Sequence, residues 1–295
     1  MAAARTARPA RRKRPRSRHA IVRIGAGFAR ALVAVVPSAR TRRRLRKRFM
    51  RAPLGAQIAV VVATLGISWL AVNWIYHVVK KPTELFFPVS GALYKTPDET
   101  WREYAPIFRS HSTRTISPEL LAALAQVEGS GNPLVRTYWR WRFTSDPLDV
   151  YRPASSAVGM YQITDGTFAE ARRLCIHDHA VVEDGPWNDW RSCWFNGLYA
   201  RVVPSNAVEM TSAYLDRHVA IALARRRIER ATIADQQNLA AVIHLCGAQE
   251  GELFAVRGFR PLDGQHCGDH DVADYIARVR AMKAVFARLA TEGQH

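Results

Sequence analysis

Apolar residues run without a Lys, Arg, Asp or Glu through 52-APLGAQIAVVVATLGISWLAVNWIYHVV-79. At about 1.5 Å per residue, such a helix exceeds the roughly 30 Å apolar core of a bilayer. Trp69, Trp74 and Tyr76 fall where an interfacial aromatic belt would lie. The pattern predicts one transmembrane helix. A secretory leader has a shorter apolar core of about 7–15 residues and a small-residue cleavage site, so the 52–79 span is expected to stay as an anchor. The next stretch, 82-PTELFFPVSGALYKTPDETWREYAPIFRSHS-112, carries prolines and no sustained period, which predicts a linker over 80–112.

Helical periodicity resumes at 113 and continues to about 292. Ser117-Pro118-Glu119 reads as a helix start: a capping Ser, Pro in the first turn, and an acid facing the positive helix end. Leu120, Leu121, Leu124 and Val127 give it one apolar face, and Gly129 ends it. A second helix is expected over 168-FAEARRLC-175, followed by a loop rich in aromatics and turn formers, 184-DGPWNDWRSCWFN-196. The longest helical pattern, 206–231, is capped by Asn206 and buries Met210, Ala213, Tyr214, Val219 and Leu223. Helices over 235–246 and 271–290 complete a domain that reads as mainly α, because strand signals are scarce.

Charge changes this picture at one end only. The formal net charge is +18, yet residues 1–51 hold 18 of the 43 Lys and Arg and no acid, while residues 52–295 carry 25 basic and 25 acidic residues. The excess thus belongs to a tail before the span, and a nucleic-acid partner is not expected. By the positive-inside rule, 18 cations before the span against Lys80, Lys81 and Lys95 in residues 80–99 place the N-terminus in the cytoplasm and the domain outside. The tail is expected to touch anionic lipid of the inner membrane. Within it, 21-IVRIGAGFARALVAVV-36 has the pattern of a short amphipathic helix weakened by two glycines.

The four cysteines, Cys175, Cys193, Cys246 and Cys267, all fall after the span, where oxidation is expected. The simplest pairing joins sequence neighbours, Cys175 with Cys193 and Cys246 with Cys267, out of three connectivities. Zinc is the rival, since 175-CIHDH-179, 244-HLC-246 and 266-HCGDH-270 place His beside Cys, but these spacings miss the usual paired-ligand patterns. No metal is expected.

The residue with most chemical interest is Glu128, in 124-LAQVEGSGNPLV-135. An anion at the C-terminal end of a helix meets partial negative charge, and apolar neighbours add a desolvation cost. Both effects favour the protonated carboxyl, which is what general-acid cleavage of a glycosidic bond requires. An isolated Glu at a helix end is, however, usually a surface residue.

The segments that follow it strengthen the case. 119-ELLAALAQVEGSGNP-133, 156-SAVGMYQITDGTF-168, 204-PSNAVEMTSAYL-215 and 240-AAVIHLCG-247, ending in 275-YIARV-279, resemble in order the successive motifs of the lytic transglycosylase catalytic domain, the lysozyme-like SLT family. The match covers roughly residues 115–285 and rests on Glu128 with Asn132 and Pro133; on Ser156, Ala157, Gly159, Met160 and Gln162 with Thr167; and on Asn206 with Tyr214 and Leu215. Three departures stand out. Gly129 occupies the place of the family's Ser, with Ser130 one position late; Ile243-His244-Leu245-Cys246-Gly247 replaces Ala-Tyr-Asn-Ala-Gly; and 136-RTYWRWRFTSDPLDVYRPAS-155 is inserted between the first two motifs. The aromatics of that insertion suit either stacking on sugars or packing of a flap.

The resemblance implies a lysozyme-like helical domain acting on peptidoglycan glycan strands in the periplasm, without cofactor. Glu128 would be the catalytic residue, first acid and then base. Gln162 and Tyr275 would line the cleft, with Met160 and Tyr161 in its wall and Ser130 and Asn132 completing the substrate-binding set. No second carboxylate stands out within the motifs, although Asp146, Asp149 and Asp165 are in the region. The alternatives are a muramidase of the same fold and a non-catalytic murein-binding scaffold of an envelope machine.

Overall fold

The structure, a computed structural model, describes residues 38–86 and 90–292. The chain divides into two compact units, residues 1–70 and 71–295, with the division inside one long helix. The amphipathic stretch expected over 21–36 lies outside the described residues.

In the first unit, α1 (Ala39–Arg51) begins at Ser38, whose hydroxyl accepts from Thr41 N–H. It has no acid in its first turn and no buried residue. Helix α2 (Leu54–Lys80) starts there and runs into the second unit. Its 27 residues span about 40 Å. It is long and apolar enough to cross a membrane, with a mean hydropathy of 2.0 over its most apolar window. Leu54, Ile58, Leu65 and Ile67 are all exposed. Soluble core helices bury such side chains, so α2 is a candidate membrane span.

The second unit is mainly helical, as the sequence predicts. Its centre is formed by α4 (Pro118–Gly129), α6 (Pro204–Arg225) and α7 (Ile233–Cys246). Each is buried on every side over part of its length: Leu120 to Ala125, Ala207 to Leu215, and Gln237 to Ile243. Around them pack α3 (Pro97–Ser110), α8 (Ala248–Val256) and α9 (Val272–Glu292), with α9 against α4, α8 against α7, and α3 against α4.

Several elements depart from expectation. Residues 80–112 are not a linker throughout, because α3 places Trp101, Tyr104, Ala105 and Phe108 in the core. Thr96 and Glu99 form a reciprocal capping box at its start, and the flanking prolines and Pro106 mask the apolar spacing in sequence. The second predicted helix is shifted to α5 (Asp165–Ala171), capped by Thr164, and Leu174–His177 is a strand. Helix α6 starts at Pro204, before Asn206, and stops at Arg225, before 231. Three short antiparallel hairpins were not foreseen: β1 (Trp139–Trp141) with β2 (Tyr151–Pro153), β3 (Leu174–His177) with β4 (Ala180–Glu183), and β5 (His266–Cys267) with β6 (His270–Asp271). Strands of two to four residues are too short to show alternation. The cysteines form Cys175–Cys193 and Cys246–Cys267, the sequence-neighbour pairing.

Candidate active site

Helix α4 ends through backbone geometry that aims Glu128 outward. Ser130 is left-handed (φ 47°, ψ 44°) and its N–H bonds Gln126 O at 2.9 Å; Gly131 N–H then reaches Ala125 O at 3.1 Å. These bonds satisfy terminal carbonyls and turn the chain sharply. Gly129 is required by contact: a Cβ there would lie 2.9 Å from the Met160 Cα and carbonyl oxygen. No side chain fits where the family has its serine. Gly159, at φ 82°, is the matching feature on the facing segment, since a Cβ there would meet the Arg201 carbonyl.

The packing of α9 and α7 on α4 completes the site. Tyr275, on α9, donates its hydroxyl to Glu128 Oε1 at 2.5 Å. His244, on α7, brings Nε2 to 3.7 Å from the same oxygen. Among the described residues Glu128 Oε2 has no hydrogen-bond partner, and the Glu128 side chain keeps 17% of its surface exposed. Burial pushes the Tyr275 hydroxyl well above its ordinary pKa and the adjacent carboxylate adds to this, so Tyr275 remains a donor. Burial lowers His244, opposed in part by Glu128 and by the Tyr161 backbone carbonyl to which the ring is hydrogen-bonded. The imidazole beside Glu128 is therefore neutral at neutral pH.

The other predicted residues are mostly engaged in holding the fold. Tyr161 is fully buried; its hydroxyl donates to Leu121 O at 3.1 Å and its ring meets His244 edge-on at 6.4 Å. Met160 is buried in the core and supports Gly129 through its backbone. Both side chains are core residues and form no surface beside Glu128. Asn132, also predicted to bind substrate, is wholly buried: its amide donates to Ser90 O at 2.6 Å and its oxygen accepts from Leu134 N–H at 2.8 Å. It holds the turn after α4. Gln162 is half-buried in a left-handed turn (φ 48°) and its amide donates to Gly159 O at 2.9 Å. The Ser130 carbonyl accepts from Lys95 N–H at 2.9 Å, and among the described residues its hydroxyl has no partner.

His244 is the site residue that sequence reasoning noted only as a departure. The available signal was its place in the fourth matched segment, where the family has Tyr. A second buried carboxylate, Glu209, also went unnoticed. Its Oε1 accepts from Ile176 N–H at 3.0 Å and its Oε2 from the Tyr199 hydroxyl at 2.7 Å, with His111 Nδ1 3.8 Å away. A third, Glu84, is fully buried between Arg136 Nη1 (3.1 Å), Trp139 Nε1 (2.9 Å) and Lys81 (3.4 Å). Among the described residues Glu84 Oε1 also lacks a hydrogen bond but is fully buried beside Lys81, so of these three carboxyls Glu128 is the one with an unbonded oxygen on a partly exposed side chain.

Among the described residues no group of three His, Cys, Asp or Glu is placed to hold a metal ion. Comparison with protein-family models, with curated proteins and with solved structures finds no match to this chain.

Proposed function

We propose that this protein is a membrane-anchored peptidoglycan lytic transglycosylase in which Glu128 is the general acid and then the general base. The observation that carries this reading is the half-satisfied carboxyl: Tyr275 and His244 both approach Oε1, so Oε2 is the oxygen able to carry and deliver a proton. The ordered resemblance of the surrounding segments to the SLT motifs supplies the substrate class.

In this mechanism the Glu128 carboxylic acid protonates the oxygen joining N-acetylmuramic acid to N-acetylglucosamine as the muramyl C1–O bond breaks. The muramyl 2-acetamido oxygen stabilises the emerging cation at C1. Glu128, now a carboxylate held by the Tyr275 hydroxyl, takes the proton from the muramyl 6-hydroxyl, and O6 closes on C1 to give the 1,6-anhydro ring. The proton count is restored and no water is consumed. The buried, neutral His244 beside Oε1 adds no second positive charge, so the carboxyl can regain its proton in the last step. An apolar 27-residue helix, a cation-rich N-terminal tail and two disulfides support a single-pass inner-membrane protein with its domain in the periplasm.

The replacement of the family's Ala-Tyr-Asn-Ala-Gly by Ile243-His244-Leu245-Cys246-Gly247 favours a second reading, a murein-binding scaffold. Digestion of purified peptidoglycan by the full chain, with products analysed by mass spectrometry, separates the possibilities. Anhydro-muropeptides that disappear with Glu128→Gln are expected. Reducing-end products identify a muramidase, and equal inactivity of wild type and Glu128→Gln identifies a scaffold.

A further inference from the structure

The last turns of α2 differ from the rest of that helix. Asn73 and His77 are buried, and both bond backbone carbonyls of the inserted hairpin: Asn73 Nδ2 donates to Tyr151 O at 2.6 Å, and His77 Nε2 lies 2.8 Å from Leu148 O. The His77 ring also meets Trp139 edge-on at 5.3 Å. Lys81 Nζ donates to Thr137 Oγ1 and Ser155 O, each at 3.3 Å. Polar groups that would be costly against lipid are thus covered by protein, and the insertion is a saddle on the helix end.

A cavity of about 270 Å³ lies at this seam, lined by Lys80, Lys81, Arg152 and Arg201 with Asp149 and Asp165 among other residues. Asp149 pairs with Arg152 at 2.9 Å and Asp165 with Arg201 at 2.8 Å, while Lys81 pairs with Glu84 at 3.4 Å. Lys80 has no carboxylate within ion-pair distance among the described residues; its ammonium sits 4.3 Å from the Tyr76 ring centre. Arg152 Nε is buried and, among the described residues, has no hydrogen-bond partner. Burial also pushes the Lys81 pKa down against the pull of Glu84, so its charge is under-compensated. The lining therefore carries four cations against Asp149 and Asp165, with Glu84 behind it shared between Lys81 and Arg136, so positive charge is in excess and one donor is unused.

A phosphodiester, with one negative charge and two free oxygens, matches that deficit. Its source follows from position: the cavity sits at the end of the apolar helix, and the hairpin above it exposes Trp141 and Phe143 alternating with Arg140 and Arg142, the mixture suited to a headgroup layer. We propose that this cavity binds the phosphate of an anionic phospholipid headgroup, seating the hairpin and the helix end together on the membrane surface. This does not depend on the reading of Glu128.

The test uses the full chain in nanodiscs of phosphatidylcholine with or without phosphatidylglycerol, followed by native mass spectrometry of the released protein. One retained phosphatidylglycerol per chain is expected. Retention should fall about five-fold with Lys80→Gln, whose exposed site at a helix end makes misfolding no concern, and further with Lys80→Gln combined with Arg152→Gln. Millimolar inorganic phosphate should not displace the lipid. Unchanged retention in both variants, equal retention of phosphatidylcholine, or displacement by inorganic phosphate overturns the proposal, the last assigning the cavity to a soluble anion.

Discussion

Two clusters in this protein are built from the same parts. Glu128 on α4 has a tyrosine hydroxyl at 2.5 Å and a histidine at 3.7 Å; Glu209 on α6 has a tyrosine hydroxyl at 2.7 Å and a histidine at 3.8 Å. Each is flanked by a disulfide. Cys175 adjoins Ile176, and Cys193 opens the turn that leads to Tyr199; Cys246 lies two residues after His244, and Cys267 sits in the hairpin before α9. The difference is one hydrogen bond. Glu209 Oε1 accepts the Ile176 N–H, so both its oxygens are occupied and it joins α6 to β3. Among the described residues Glu128 Oε2 has no such donor. A Glu, Tyr and His in contact are therefore not distinctive by themselves; the oxygen left unbonded on Glu128 is what sets it apart and what the proposed function rests on.

The largest effect expected from this comparison is on activity. Glu128→Gln should cut peptidoglycan cleavage on the order of a thousand-fold with little change in melting temperature. Glu209→Met should instead lower stability by about 2–4 kcal/mol, because it strands the partly buried Ile176 N–H and Tyr199 hydroxyl, while the remaining folded protein stays active. Activity assays beside thermal unfolding would show this, and loss of activity at full stability in Glu209→Met would erase the distinction.

The two disulfides come next. Replacing either pair by serine should cost roughly 3 kcal/mol, given closed loops of similar length, with sequence separations of 18 and 21. Only Cys246→Ser with Cys267→Ser should also weaken catalysis at a temperature where the protein is still folded, since that bridge ties α7 to the hairpin preceding α9. Tyrosine to phenylalanine is subtler. Tyr275→Phe should slow cleavage roughly ten-fold and cost about 1 kcal/mol, whereas Tyr199→Phe should cost about as much stability and leave rate unchanged.

The smallest effect is on pH dependence. Burial lowers the pKa of both His111 and His244, with Glu209 and Glu128 offsetting only part. The unfolded chain therefore binds these protons more readily. The associated stability is fully present above the ordinary histidine value of about 6.5 and is lost as pH falls through that value toward the folded ones. Melting temperature should decline between pH 7 and 5, and His111→Gln or His244→Gln should each flatten the slope; an unaltered slope in both would place the acid sensitivity in other groups.

Much of this was legible before the fold. The apolar run predicts α2, and Ser117-Pro118 predicts the start of α4 as it stands. Glu128 could be singled out because its helix end, Gly129 and the later segments lie close in sequence. Helix α3 was hidden, since Pro106 and the prolines around it break a pattern that only burial of Trp101, Tyr104 and Phe108 reveals. Met160, Tyr161 and Asn132, expected at a cleft, are buried, because no local pattern distinguishes a residue on a surface from one directly beneath it.

The sequence by itself determined the apolar helix, the mainly helical domain, the neighbour pairing as the simplest for its cysteines, and the carboxylate at the end of α4. All of these follow from local spacing, charge and chain order. Only the tertiary structure decided which oxygen of Glu128 is held and which is free, that His244 stands beside it, that Glu209 is closed by a backbone N–H, and that the inserted hairpin grips the end of α2. Those outcomes depend on contacts between residues dozens to more than a hundred positions apart, and the hydrogen bonds that set them form only when the helices pack.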